Sequence, residues 1–487
     1  MSDLDLAYTS ATKLAGMIRE GRISSAEAVG NALARIDEVN GVLNCFCFVY
    51  GEEALDLARA ADRRLARGAA DGPLHGVPIA IKDFTPMKGK RTTQGSLILE
   101  HWVPDDDPII VERLRAAGAI VIGKTTTPEF AHSSFTESAL WGLTRNPWDL
   151  GRTPGGSSGG AGAAVSAGCV PLAEGSDMGG SVRIPAAYCG LVGLKPSLGR
   201  IPMDIIPSVF DNISHFGPLA RTVGDAALFL EVTHGPDERD IMSIPTRIDN
   251  FGDVAKGAAG LRIAFSPDLG YYAIEPDVAE KTRDACAMLR DLGAVVDEVE
   301  LGWTRELSDA WFDIWKVYLA AWAGPYLDEW RDKMAPNLVR LIDAGLKLDA
   351  VSIKRLETLR TKQWHGLCDL FERYDALVCP TVTRVAPPHD LTDSDFDYED
   401  EAGRYIALEL TLVFNLVSQC PAITVPSGIT PSGLPAALQI VGRRFDDVTA
   451  LRIAAALEAA VGWPDWRPPQ AAGPTGGRPR RRDSARY

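Results

Sequence analysis

The 487-residue sequence has no uninterrupted apolar run near 18 residues and no cationic start leading into an apolar segment. Neither a membrane span nor a secretory signal is therefore expected, and the cytoplasm is the expected compartment. The eight cysteines are scattered, with no CxxC or zinc-type spacing. The one close pair, Cys45 and Cys47, would alternate across a strand, so reduced thiols and no metal site are expected. Basic charge is also scarce: 50 Lys and Arg stand against 65 Asp and Glu, for a net charge of −15. Five arginines of the C-terminal stretch (Arg478, Arg480, Arg481, Arg482, Arg486) face one acid, Asp483, so the body is more acidic than the total. An acidic body argues against a phosphate backbone as partner, so no nucleic-acid partner is expected. There is no repeat at solenoid periods. What is present, 46% hydrophobic and 24% charged residues, is ordinary globular composition with length enough for a large core. Length alone suggests about three domains at roughly 150 residues each.

Ser24 followed by Glu27 is a capping-box pattern, and Val29, Leu33 and Ile36 follow at helical spacing. Residues 77–81 read as a short buried strand ending at Lys82-Asp83, 109–118 as a helix stopped by glycine, and 119–122 as another strand. Strand, helix, strand predicts parallel α/β construction. Further strands are expected at 261–265, 294–300, 376–379 and 422–425, with helices at 278–291 and 448–461. Trp311, Trp315, Tyr318 and Trp322 share one helical face. A helix packed on the core is the favoured reading, and rings lining an apolar substrate pocket the sharper one.

Two Gly/Ser clusters carry the chemistry: Gly155 to Gly160 (GGSSGG) and Gly175 to Arg183 (GSDMGGSVR). Glycines there free backbone N–H groups to converge on an anion. No lysine occurs in 146–194, so the first cluster is not a P-loop. Gly156-Ser157-Ser158-Gly159-Gly160 satisfies G-x-S-x-G with Ser158 central, and seven histidines could complete a triad. A nucleophile elbow follows a buried strand, however, whereas residues 146–154 are polar and turn-forming, which makes Ser158 the disfavoured rival.

With Gly76 to Asp83 (GVPIAIKD) ahead of them, and with Gly190 to Pro196, Gly217 to Arg221, Cys379-Pro380-Thr381 and Gly433 to Gly442 behind, these clusters resemble the amidase signature family. Lys82 precedes Ser157 by 75 residues and Ser157 precedes Ser181 by 24, spacings similar to that family's Lys, cis-Ser, Ser triad. The resemblance implies an α/β fold: one amidase-signature domain over 1–469, a mixed β-sheet sandwiched between layers of α-helices, which corrects the three-domain prior. Residues 470–487 lie outside it and read as a flexible Arg/Pro/Gly-rich tail. It implies Ser181 as nucleophile, Lys82 as base and Ser157 as relay, with Ser157 entered through a cis peptide bond. It also implies an oxyanion hole from the N–H groups of Met178, Gly179, Gly180 and Ser181, and support from Ser158, Asp177 and Arg183. A lysine base must be neutral, so its pKa must fall from about 10.4 towards roughly 7–8, for which the run Val77 to Ile81 offers a dry setting.

No cofactor and no metal are implied. The expected partner is a small-molecule amide or carbamate substrate, and a homodimer is allowed. Lys195, in a Gly-Leu-Lys-Pro turn, and Asp83, facing away from Lys82, read as structural; His132 lies near the pocket without an assigned role. The family spans amidases, carbamate and cyclic-amide hydrolases, and a transamidation glutaminase subunit. That last branch usually carries glutamine where this chain has Ile184. Ile184, Met178, Ile205 and Ile206, with the aromatic stripe, lean towards apolar or aryl substrates. A catalytically silent binding subunit is the reading from another class, and the presence of Lys82, Ser157 and Ser181 counts against it.

Overall fold

A computed structural model describes residues 2–389 and 408–469; the expected 470–487 tail lies outside the described residues. Its spine is an 11-stranded sheet. In chain order the strands are β1 (Phe46–Val49), β2 (Pro78–Lys82), β3 (Ile120–Thr125), β4 (Leu172–Asp177), β5 (Val192–Lys195), β6 (His215–Ala220), β7 (Arg262–Phe265), β8 (Val295–Glu298), β9 (Ala376–Pro380), β10 (Ala422–Ile429) and β11 (Pro435–Gly442). In space they run β1-β3-β2-β4-β6-β5-β10-β11-β9-β7-β8. β2 is parallel to β3 and β4, and β7 to β8 and β9; the remaining pairings are antiparallel. The sheet is thus mixed and continuous, and the chain forms one α/β domain rather than the three that length suggests.

Alternation along the strands feeds a core on each face. Ile79, Ile81 and Leu172 enter one apolar cluster, Ala80 and Ala173 the other. The first face is covered by α2 (Ile109–Ala116), α5 (Pro276–Asp291), α6 (Glu306–Trp322) and α8 (Asp447–Val461), the second by α1 (Ser25–Leu43), α3 (Gly159–Ser166) and α4 (Arg183–Cys189). α7 (Pro336–Gly345) packs on α6. The Ser24 capping box closes as expected, its hydroxyl taking the Glu27 N–H and the Glu27 carboxylate the Ser24 N–H.

The expected strands and helices form, with ends shifted by up to a few residues. The sequence pattern missed β4, β5, β6 and β11, because central strands buried on both faces do not alternate and glycine interrupts them, and it assigned no strand to β1, a four-residue edge strand too short to show a pattern. Those glycines answer to packing: a Cβ at Gly217 would lie 1.9 Å from the Leu194 carbonyl oxygen. The small residues of α3 are likewise forced, since a Cβ at Gly160 would meet Thr126 at 2.4 Å.

Candidate active site

Two parallel neighbours, β2 and β4, end at the same edge, which brings Lys82 beside Ser176 and Asp177. Lys82 is fully buried. Its Nζ lies 2.7 Å from Ser157 Oγ and 3.0 Å from Ser176 Oγ, with the Phe84 ring centroid 5.5 Å away. Among the described residues no carboxylate forms a salt bridge with it: Glu174 accepts the Lys82 backbone N–H at 2.9 Å and the Thr85 hydroxyl at 2.9 Å. Burial lowers the Lys82 pKa to about 7, against the opposing pull of the Glu174 and Asp177 charges. The amine is therefore available as a base near neutral pH. Asp83 faces away, as expected, accepting from Thr93 and pairing with Lys124 at 3.3 Å.

The Gly156–Ser157 peptide bond is cis. Beyond β4 the chain turns through 178–182 into α4, and a buried ion pair fixes this turn. Asp177 Oδ1 accepts from Arg183 Nη2 at 2.9 Å and Oδ2 from Arg183 Nε at 3.0 Å. Arg183 also donates to Asn415, Gln439 and the Thr411 carbonyl. Burial would raise the Asp177 carboxyl, but the Arg183 guanidinium outweighs it and holds the group well below the usual carboxylate range. The Met178, Gly179 and Ser181 N–H groups have no hydrogen-bond partner among the described residues. The Gly180 N–H, expected with them, donates to Asp177 Oδ1 at 2.8 Å. The anchored carboxylate lies under the turn and takes it, which removes Gly180 from the expected donor set.

Both turn glycines are required. Gly180 has φ +127° and its Cβ would lie 2.1 Å from Thr411 Oγ1; a Cβ at Gly179 would lie 2.2 Å from the Trp311 ring. Ser158, the rival, is fully buried at the start of α3 with its hydroxyl 3.4 Å from the Ser176 carbonyl oxygen, and its N–H donates to the Ser181 carbonyl. A loop rather than a strand precedes it.

Ser157, Ser176 and Ser181 open together onto a cavity of about 600 Å³ walled by Met178, Ile184, Trp311, Phe312 and Trp315. Both readings of the aromatic stripe hold: Trp311 and Trp315 are core residues that also form a wall of the cavity. Their rings stack at 5.8 Å, and Trp311 Nε1 donates to the Met178 carbonyl at 2.8 Å. Trp322 instead packs edge-on against Phe84, and Tyr318 donates to Asp211. Ile205 and Ile206 are not among the lining residues. Lys195 is buried on the carbonyls of Pro196, Ser418 and Cys420 and away from the cavity, a structural placement. His132 lines the cavity, its Nδ1 2.7 Å from the Glu129 carbonyl.

Sequence reasoning missed Ser176 and Glu174 about Lys82, although both sit in or beside the second cluster. It also missed Thr411, Asn415 and Gln439, more than 220 residues away in the chain, for which no local signal exists.

Comparison with known proteins gives these features a context. The Amidase family model matches residues 27–451. An acylamidase of Rhodococcus erythropolis is 37% identical over 474 residues, covering 96% of this chain and 98% of that protein. A glutamyl-tRNA(Gln) amidotransferase subunit of Moorella thermoacetica is 36% identical over 494 residues, covering 96% and 99%. The crystal structure of a bacterial aryl acylamidase of the amidase signature family superposes with a TM-score of 0.87 at 30% identity, covering 94% of this chain and 97% of that one. On fold and on sequence over nearly its whole length, the chain belongs to the amidase signature family and is an amide-hydrolysing enzyme.

Proposed function

We propose that the chain hydrolyses small amides with an apolar or aryl group through an acyl-enzyme on Ser181, with Lys82 as base and Ser157 as proton relay. The observation that carries this reading is the fully buried Lys82 amine, held by two serine hydroxyls and no salt-bridged carboxylate among the described residues, with its pKa lowered to about 7. A serine hydroxyl is a weak nucleophile and needs such a neighbour. Neutral Lys82 takes the Ser157 proton as Ser157 takes that of Ser181, and Ser181 attacks the amide carbonyl. The oxyanion meets the N–H groups of Met178, Gly179 and Ser181, which have no partner among the described residues, each donor of this kind being worth about 3–4 kcal/mol. Ser157 then returns a proton to the leaving amine, and water hydrolyses the ester by the same relay in reverse. Ser158, Asp177 and Arg183 hold the turn and touch no reacting atom.

The aromatic wall and the apolar Ile184 and Met178 support apolar or aryl groups, in keeping with the acylamidase and aryl acylamidase relatives. Ile184, apolar at the cavity wall, disfavours a glutaminase role. The test is turnover of a panel of anilides, alkyl amides, cyclic amides and carbamates by wild type and Ser181→Ala. Turnover of apolar amides by wild type alone is expected; equal rates for both proteins on every substrate would sink the proposal.

A further inference from the structure

A second cavity of about 350 Å³ adjoins the first, and His132, Ser133 and Asn337 line both. These three residues are the partition between the two spaces. Asn337 stands in the first turn of α7, only 8% exposed, and its Oδ1 is buried without a hydrogen-bond partner among the described residues. The Nδ2 end of the amide has no partner among the described residues either, but it is not buried as Oδ1 is. Buried polar groups are almost always paired, so an unpaired one on a cavity wall marks a place where a ligand group belongs. Whichever way it is turned, the amide presents one acceptor and one donor.

His132 complements it. Its Nδ1 faces the Glu129 carbonyl oxygen at 2.7 Å, and a carbonyl only accepts, so Nδ1 carries the proton and Nε2 is left as an acceptor. Burial lowers the His132 pKa to about 4, which keeps the ring neutral. The second cavity carries one residue of each sign, Glu137 and Lys333, and so favours neither ion.

We infer that this partition recognises a second, neutral amide-type group, an amide, urea or urethane, on an arm of the substrate that passes from the main cavity into its neighbour. Asn337 and His132 are then specificity-determining residues. The N–H of the arm donates to His132 Nε2 or Asn337 Oδ1, and its carbonyl accepts from Asn337 Nδ2. An alkyl arm satisfies none of these groups, and a carboxylate cannot donate to either acceptor. The preferred substrates are accordingly molecules with two amide-type groups, one cleaved and one held. The inference rests on the proposed function in that the cleaved carbonyl is delivered to Ser181.

The test uses two aryl amides of equal length, one whose arm contains a secondary amide and one whose arm is alkyl. Calorimetric Kd values are measured on Ser181→Ala and on Ser181→Ala combined with Asn337→Leu. The amide arm should bind at least about tenfold more tightly to the first protein, and the ratio should fall severalfold in the second, where only the His132 acceptor is left. A ratio near one in the Ser181→Ala protein, a ratio undiminished by Asn337→Leu, or failure of both compounds to bind overturns the inference. The first outcome needs no Asn337 variant, so misfolding of that variant cannot shelter the idea. Turnover persisting in Ser181→Ala refutes the nucleophile instead, and the same ratio is then read from kcat/KM.

Discussion

Moving the assay from pH 8 to pH 6 should cut kcat/KM about tenfold, through a single acid limb centred near pH 7. The magnitude follows from Lys82: with a pKa of about 7, roughly 90% of the amine is neutral at pH 8 and roughly 10% at pH 6. A solvated lysine, near 10.4, would be neutral in about one molecule in 2,500 at pH 7, so burial is what makes the base usable. The same burial acts on stability. Between about pH 7 and the unfolded value of 10.5 the unfolded chain binds a proton at Lys82 that the folded chain does not. Stability therefore rises with pH by about 1.4 kcal/mol per unit across that window and is lowest below it, by on the order of 5 kcal/mol. Lys195, also lowered to about 7 chiefly by burial, adds to the stability slope from outside the cavity and leaves the rate limb alone.

Lys82→Met should abolish turnover while leaving the urea midpoint at pH 6 unchanged or raised, because it removes a buried amine that costs most when charged. The assay is initial-rate kinetics on an anilide from pH 5.5 to 9, paired with urea unfolding at pH 6 and 9. A rate flat from pH 8 to 6, a limb centred near 10, or a Lys82→Met variant much less stable at pH 6 than wild type would refute the reasoning.

Asp177→Asn strands the Arg183 guanidinium in a fully buried site and should cost about 3–5 kcal/mol, read as a lowered denaturant midpoint together with loss of activity. Gly179→Ala places a methyl 2.2 Å from the Trp311 ring, so the indole must shift; kcat should fall at least tenfold with a smaller change in KM, since the affected donors act on the transition state. Ser158→Ala should retain covalent labelling by a serine-directed fluorophosphonate and Ser181→Ala should lose it, as read by intact-protein mass; the reverse pattern would restore the elbow.

Much of the site was legible because its parts are local. Lys82 ends an apolar strand, and the residues of 155–160 and 175–183 each turn tightly enough that glycine must recur, so their identity and order survive in the linear sequence. The aromatic stripe was legible as a helix face, with pocket lining only the less favoured of two readings, since periodicity reports which residues share a face and not what that face meets. The Gly180 N–H shows the same limit from the other side. Read along the chain it is one of four equivalent donors; only Asp177, anchored by Arg183 and by Asn415 from far along the chain, takes it out of the set.

By itself, then, the sequence determined the family, the α/β class and the three residues proposed for catalysis, because each is written in contiguous motifs whose backbone geometry admits few alternatives. The tertiary structure decided what surrounds them: Ser176 beside the lysine, the width and lining of the cavity, and the unpaired Asn337 at its partition. Those depend on strand order and on contacts between segments hundreds of residues apart, and burial, which sets both the lysine's pKa and the demand for a partner at Asn337, exists only once the sheet has closed its two cores.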